Sequence, residues 1–402
     1  MRSHTQGPGR GAIAQVEAPH AWRACAMVAA MLKLPSVLLA LAALSAGCTK
    51  KAAEPADKSG TPDPSTSTPA APPVATPPPP PPSQMPLGKL PPLDLAEDPQ
   101  RAEKIALGHA LFFDKRLSVD GSRACYSCHM NEDGNGGHDP LAIGPGDKPL
   151  PRHSPVIWNV AYFKNSLYWD GRAATLEDNA KAAWAGGNMG VGKENLEKKA
   201  AELGKIAGYK KLFAAAFPKD KKVTPDMVAS ALSEYERTLL CNDTGYDKFA
   251  AGDKAALSQE QQRGLDLFMG KAQCAMCHAP PFFSTAMGVD GGAYFNVGIG
   301  TVGKAEADVD VGRMKVTNVE ADWGAFKPPS LRNVAKSAPY FHDGSVKTLE
   351  EAVKLMATGG VANKNKSALL TDRALTDAEM ADLLAFLRGL DCGGKLEEPK
   401  LP

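Results

Sequence analysis

The chain has 402 residues, enough for two domains of ordinary size. Its 46 basic and 45 acidic side chains nearly cancel, so the composition gives no sign of a nucleic-acid-binding surface. Eight cysteines are many for a cytosolic enzyme, and they raise the question of export before any question of fold.

The N-terminal segment is typical of an exported bacterial protein. Residues 31–48 read MLKLPSVLLALAALSAGC, a lysine and an apolar run too short for a comfortable membrane span, then small residues before a cysteine. We interpret residues 1–48 as an upstream extension and a lipoprotein-type signal peptide, with lipid attachment at Cys48. The alternative is an ordinary signal peptide, with Cys48 removed or left free. Either reading predicts a periplasmic protein, and the lipid would be its only link to a membrane.

Residues 49–86 are rich in Pro, Ala and Thr and include the run TPPPPPPS. Such a composition cannot bury an apolar core, and its prolines favour an extended polyproline conformation. We therefore predict a disordered linker that holds the folded body away from the anchor.

From residue 98 onward helix signals dominate. Apolar and polar residues do not alternate over any stretch long enough to indicate a strand. Asp98 and Pro99 predict the start of a helix that runs to Phe113. Three capping boxes predict further helix starts at Ser258 with Gln261, Thr348 with Glu351, and Thr376 with Glu379. Gly270 is predicted to end the helix that follows Ser258. The sequence thus predicts an all-α body with little or no sheet.

Two halves of this body repeat the same order of features. GHALF (108–112) precedes one cysteine pair and GLDLF (264–268) precedes another. TPDMVASALSEYERTLLC (224–241) closes the first half, and TDAEMADLLAFLRGLDC (376–392) closes the second. We infer two domains related by duplication, spanning residues 87–245 and 246–402.

Each half contains a Cys-x-x-Cys-His run, CYSCH at 125–129 and CAMCH at 274–278. Zinc would need further thiolates or imidazoles at matching spacing, and a redox dithiol would need no histidine. Covalent haem uses all three residues, two as thioethers and the histidine as iron ligand. We predict two c-type haems, one held by Cys125, Cys128 and His129, the other by Cys274, Cys277 and His278.

The opposite face of each iron decides between electron transfer and the binding of peroxide. Helical spacing places Met356 on one apolar face with Leu349, Ala352 and Val353. A thioether ligand from Met356 would give a His/Met iron of raised potential, suited to receiving electrons. The alternative is that Met356 only fills the core, as methionines usually do.

Three further motifs, together with CYSCH and CAMCH, carry a family resemblance over about residues 90–392: LFFDKRLS, YWDGRAATLEDNA and FKPPSLRNVAKSAPYFHDGSVKTLEEAV. With them the chain resembles the bacterial di-haem cytochrome c peroxidase and MauG superfamily. The resemblance implies two cytochrome-c-like haem domains that meet at an interface, with Trp169 between the haem edges. It also implies Met356, fourteen residues after His342, as distal ligand of the electron-accepting haem. MauG-like members carry tyrosine there, and His342 is implied to be a structural residue near the haems.

Two departures from the family concern the first haem. Many members close this iron with a histidine where AIGPG has Pro145, so the resemblance implies an open iron here, with His138 and His153 as alternative ligands. Peroxidase members carry a proton-transferring glutamate where this chain has Asn188, beside Met189. Asparagine can orient peroxide by hydrogen bonds but cannot exchange a proton.

Two further expectations concern calcium and the remaining cysteines. The family's inter-domain calcium site would keep only the Ser337 and Pro339 carbonyls here, because His153 replaces an asparagine and is a poor ligand for a hard cation. Cys241 and Cys392 end the two matching helices, and an oxidising compartment would favour a disulfide between them.

The leading hypothesis is a periplasmic enzyme that reduces hydrogen peroxide to water. Electrons from a small cytochrome c or cupredoxin would enter at the second haem, cross by Trp169 and reach peroxide at the first haem, near Asn188. The alternatives are a MauG-like oxidase acting on a partner protein or organic substrate, and a pure electron-transfer cytochrome. No nucleic acid is expected as a partner, and a homodimer is left open.

Overall fold

The computed structural model describes residues 88–402. The predictions for Cys48, the signal peptide and the 49–86 linker concern residues outside this range. Within 88–402, no helix has the length and apolar character that a membrane crossing needs.

Helices form most of the regular structure of this part of the chain. They are Arg101–Phe113 (α1), Leu176–Ala185 (α2), Leu196–Lys205 (α3), Ala207–Ala216 (α4), Pro225–Arg237 (α5), Gly245–Ala250 (α6), Gln259–Met269 (α7), Met314–Thr317 (α8), Leu349–Ala357 (α9) and Asp377–Arg388 (α10). One antiparallel pair of two-residue strands, Ile143–Gly144 (β1) and Lys148–Pro149 (β2), pairs Ile143 with Pro149. The predicted all-α class with little sheet is confirmed.

The predicted capping boxes are present at the starts of α7, α9 and α10, and Gly270 follows the last residue of α7. The start of α1 differs from the prediction. Asp98 does not cap the helix; its carboxylate accepts a hydrogen bond from the Gln100 amide at 3.0 Å, and its carbonyl accepts one from the Arg101 amide. The Asp98 side chain is therefore bonded within the turn that precedes the helix, and the helix begins at Arg101.

Each half contains one close helix crossing made possible by glycine. A methyl group on Gly108 of α1 would lie 1.9 Å from the Ala231 carbonyl oxygen of α5. In the second half, a methyl group on Gly264 of α7 would lie 2.1 Å from the Asp382 carbonyl oxygen of α10. The glycines of GHALF and GLDLF therefore do the same thing in each half: they let an early and a late helix pack backbone against backbone.

Each half has its own hydrophobic core. The first gathers α1 to α5 around Leu111, Trp184 and Tyr209. The second gathers α6, α7, α9 and α10 around Phe268 and Phe386. The chain end returns to the first core, where Cys392 forms a disulfide with Cys241 across a sequence separation of 151 residues. The disulfide expected from the helix ends is present.

The glycine crossing gives a test of the fold. In Gly264→Ala, α7 and α10 must separate to relieve the contact with the Asp382 carbonyl, so we expect a loss of about 3 kcal/mol in unfolding free energy. Chemical denaturation of the haem-loaded protein would measure it. Lys198→Ala, on the exposed face of α3, is the control and should change little. A Gly264→Ala protein as stable as the parent would contradict the crossing.

Candidate haem-binding cavities

A large cavity of ≈ 1310 Å³ is lined by His129, the residue that follows the first cysteine pair. Residues 125–128 form a short 3₁₀ helix, and His129 follows directly. The His129 Nδ1 lies 3.2 Å from the Asn135 carbonyl oxygen. A carbonyl can only accept, so Nδ1 carries the proton and Nε2 keeps a lone pair for a metal. Burial lowers the pKa of His129 to about 4, which keeps the ring neutral.

A second, narrower cavity of ≈ 210 Å³ lies beside the other cysteine pair. Its lining includes Cys274, Cys277, His278 and Met356. The His278 Nδ1 lies 3.0 Å from the Phe283 carbonyl oxygen and 3.1 Å from that of Pro329. Nε2 is again left for a metal, and burial lowers the pKa of this histidine too.

The donor sets fit covalent haem better than zinc. Burial raises the pKa of the Cys274 thiol to about 12 and that of Cys277 to about 11, and it raises those of Cys125 and Cys128 as well. Zinc binds thiolates, and such burial without a metal disfavours them. Within 88–402, no three His, Cys, Asp or Glu side chains are grouped to hold a metal ion. Two thiols, one imidazole with a free Nε2 and an adjacent cavity match a c-type haem in each half.

Met356 lies where the helical spacing predicts. Leu349, Ala352, Val353 and Met356 of α9 all line the second cavity, together with His278. The thioether and the imidazole therefore border one space, as a pair of axial ligands would. Its assignment as ligand stays a prediction.

Trp169 borders both cavities and is 8% exposed. Its indole Nε1 donates to the His153 carbonyl at 2.8 Å, and its own carbonyl accepts from the Lys327 amide at 2.8 Å. The preceding Tyr168 has a left-handed backbone (φ 67), a conformation that costs about 1 kcal/mol or more outside glycine. The indole is thus held in one orientation between the two cavities.

His342 also borders both cavities and is buried. Its ring stacks on Phe326 with centroids 3.7 Å apart and meets Trp169 edge-on at 6.5 Å. Burial lowers its pKa to about 4, so the ring is neutral near neutrality. These contacts agree with a structural residue near the haems.

Part of the wall of the first cavity is formed by α2 and the turn after it. Asn179, Ala182 and Ala183 line the cavity at helical spacing, and Asn188 follows. Of the two alternative histidine ligands, His153 lines this cavity, with Nδ1 3.0 Å from the Asp139 carbonyl oxygen. His138 is 71% exposed and pairs with Asp133.

The calcium prediction gains no further support from the described residues. Ser337 lies beside the loop of Gly136, within 3.5 Å of where a methyl group there would sit. Pro339 follows in the same turn. Calcium at these carbonyls stays a prediction.

Two buried charged residues of the cavities were not identified from the sequence. Lys327 borders both cavities, with its Nζ 3.2 Å from the centre of the Phe163 ring, and burial lowers its pKa to about 7. Glu236 of α5 lines the first cavity. The signal for Glu236 was available, because it follows buried Ala229 and Leu232 at helical spacing on the apolar face of α5.

Comparison with known proteins places both halves in haem families. Residues 102–255 match the family described as di-haem cytochrome c peroxidase, and residues 261–391 match cytochrome c. The chain is 36% identical to cytochrome-c peroxidase IdrP1 of Denitromonas iodatirespirans, over 79% of this chain and 90% of the relative. It is 32% identical to methylamine utilization protein MauG of Methylorubrum extorquens, over 76% and 83%.

Solved structures show the same likeness. A MauG-like protein associated with microbial copper homeostasis aligns with a TM-score of 0.68 and 31% identity, over 78% of this chain and 95% of that one. The Y463M variant of the diheme peroxidase BthA from Burkholderia thailandensis aligns at 0.62 with 22% identity, over 76% and 90%, and shares the fold.

Met356 can be tested as a ligand. In Met356→Ala, loss of the thioether should lower the reduction potential of the second haem by on the order of 0.1 V, within the range of about 0.8 V that axial ligands span. A spectroscopic redox titration measures it. Met380→Ala, in α10 and outside both cavity linings, is the control. An unchanged potential in Met356→Ala would contradict ligation.

Proposed function

Because the chain belongs to the di-haem cytochrome c peroxidase and MauG family, we propose that it reduces hydrogen peroxide to water with electrons from a small redox protein. The observation that carries this proposal is the difference between the two cavities. One brings a thioether, Met356, to the same space as its histidine, whereas the other offers a much larger space bordered by Asn188. Bound haem would supply one-electron chemistry and, where its second face is open, a place for peroxide.

The residues divide into two groups by role. In the second cavity, His278 and Met356 would hold the iron from both sides and favour its reduced form. In the first, His129 would hold the iron from one side only, and the Asn188 amide would orient peroxide by hydrogen bonds. Trp169 lies between the two groups and is the natural route for electrons from one to the other.

An electron donor has an accessible place to dock. Met276 lies inside the second Cys-x-x-Cys-His run, lines the second cavity and is 53% exposed. This edge of the cavity therefore reaches the surface through an apolar side chain. A small cytochrome c or cupredoxin that presents an apolar patch around its own redox centre would suit it.

The sequence supports a periplasmic location, with a lipid at Cys48 and the 49–86 segment as tether. Mass spectrometry of the membrane fraction would show a lipidated Cys48 at the mature N-terminus if this is right. A soluble mature form that begins elsewhere would contradict the lipid anchor.

A MauG-like oxidation of a partner protein or organic substrate is the second candidate. It is favoured by Asn188, which cannot exchange protons as the peroxidase glutamate does, and by similarity to MauG of about the same level as to the peroxidases. Met356 argues against it, since MauG-like members carry tyrosine at that position.

The direct test uses the haem-loaded protein with a reduced small c-type cytochrome. Addition of hydrogen peroxide should oxidise two equivalents of cytochrome per peroxide, followed by absorbance. Peroxide that reacts with the first haem without oxidising any cytochrome would favour the MauG-like reading. No reaction with peroxide at all would leave only electron transfer.

Trp169 gives a more local prediction. Trp169→Phe removes the indole between the cavities, and we expect reoxidation of the second haem by peroxide to slow at least roughly tenfold, or about 1.4 kcal/mol in barrier height. Stopped-flow spectroscopy on the reduced protein measures this rate. Trp323→Phe, buried and outside both linings, is the control. Equal rates in Trp169→Phe and the parent would exclude the tryptophan from the route.

A further inference from the structure

Five carboxyl groups line the first cavity: Asp170, Glu236, Asp308, Asp310 and Asp343. Four of them are paired or exposed. Arg152 binds both Asp170 and Asp310, at 2.7 and 2.6 Å. Asp343 accepts from the Ser345 amide at 3.1 Å, and Asp308 is exposed. Only Glu236 remains as a buried carboxyl of this cavity without a cation.

Glu236 has no partner among residues 88–402. It is 8% exposed, its Oε2 is buried with no hydrogen-bond donor, and it takes part in no ion pair. The neighbouring Arg237 is directed elsewhere, to Glu177 at 2.8 Å and to Glu234 at 3.3 Å. An unpaired buried carboxyl costs free energy, so a cavity that keeps one is a candidate for proton chemistry.

Titratable and charged side chains near Glu236 come from the attachment loop, the segment before Trp169 and α2. Cys125 of the attachment loop and Tyr168 before Trp169 are near enough to interact with its charge, and from α2 so is Glu177. On the other side of α5, α1 presents Arg101 to Glu234 and His109 to Tyr235 instead.

Burial raises the pKa of Glu236 to about 8, with Arg237 opposing and Glu177 adding to the rise. The carboxyl is then mostly protonated near neutrality, and its smaller ionised fraction is the form that can accept a proton. Tyr168, whose pKa burial raises to about 12, stays neutral and donates its hydroxyl proton to the Asn179 carbonyl at 3.1 Å.

We propose that Glu236 is the proton-exchanging group of the first cavity, in place of the carboxylate that Asn188 does not provide. This inference rests on the proposed peroxide reduction. Glu236 accepts a proton from peroxide as it binds and returns it to the oxygen that leaves when the O–O bond breaks. That oxygen departs as water with both peroxide hydrogens. The second oxygen becomes water after two electrons from the donor protein and two protons from solvent. Glu236 and Asn188 both border this cavity, which leaves space for water to carry the proton between Glu236 and bound peroxide.

A first test needs no turnover. Infrared spectra of the haem-loaded protein should show a protonated-carboxyl band that disappears as the pH rises through about 8 and is missing in Glu236→Gln. The folded protein binds this proton more tightly than the unfolded chain does, so Glu236 makes stability fall as pH rises from the ordinary carboxyl pKa to about 8. Glu236→Gln should flatten that part of the stability profile. A band that persists in Glu236→Gln would overturn the proposal.

Cyanide gives a second test that is independent of peroxide reduction. Hydrogen cyanide, like peroxide, must lose a proton to bind an open iron. We expect its binding rate at the first haem to fall roughly a hundredfold in Glu236→Gln and less in Glu236→Asp. Glu234→Gln lies outside the cavity lining and is the matched control.

The peroxide assay then separates the two claims. A parent that reduces peroxide, with Glu236→Gln slowed roughly a hundredfold, supports both. A parent and a Glu236→Gln protein of equal rate would overturn the role of Glu236 and leave the peroxidase function standing. If the parent does not reduce peroxide, the proposed function fails, and the cyanide rates still decide on Glu236: a slowed Glu236→Gln supports its role, and an unchanged one overturns it.

Discussion

The structure depends on two partly buried imidazoles, each with Nδ1 held by backbone carbonyls. The Asn135 carbonyl does this for His129, and the Phe283 and Pro329 carbonyls do it for His278. Each contact leaves Nε2 with a lone pair for a metal and restrains the orientation of the ring. The halves then differ in what else lines each cavity. Met356 lines the second cavity, whereas Asn188 lines the first, whose volume is about six times larger (≈ 1310 against ≈ 210 Å³).

Duplication explains why the two halves could diverge at those walls. The frame of each half is set by a glycine crossing between an early and a late helix, whereas Met356 lies on α9 and Asn188 follows α2, outside both crossings. The disulfide of Cys241 with Cys392 and the ion pair of Arg152 with Asp310 connect the halves. Trp169 and Lys327 border both cavities, so the interface is also the place where one site can influence the other.

Much of this was readable from the sequence because it is local. Capping boxes, the Cys-x-x-Cys-His runs and the place of Met356 on α9 depend on residues a few positions apart. The bridging place of Trp169 came from family resemblance and not from spacing. Lys327 escaped prediction because its burial is created by residues distant in sequence. Glu236 was overlooked because a charged side chain is usually exposed, although the spacing of α5 places it on the apolar face. The start of α1 was misplaced because an aspartate side chain can cap a helix or bond to an amide of the turn before it. In the fold, the Asp98 carboxylate accepts from the Gln100 amide, before the helix begins at Arg101.

Electron-paramagnetic resonance of the fully oxidised, haem-loaded protein at rest tests the asymmetry most directly, because it reports the axial ligands of both irons at once. The account predicts one low-spin signal from a His/Met iron and one high-spin signal from an iron with a single protein ligand. Two low-spin signals, with both irons closed by protein groups, would contradict it.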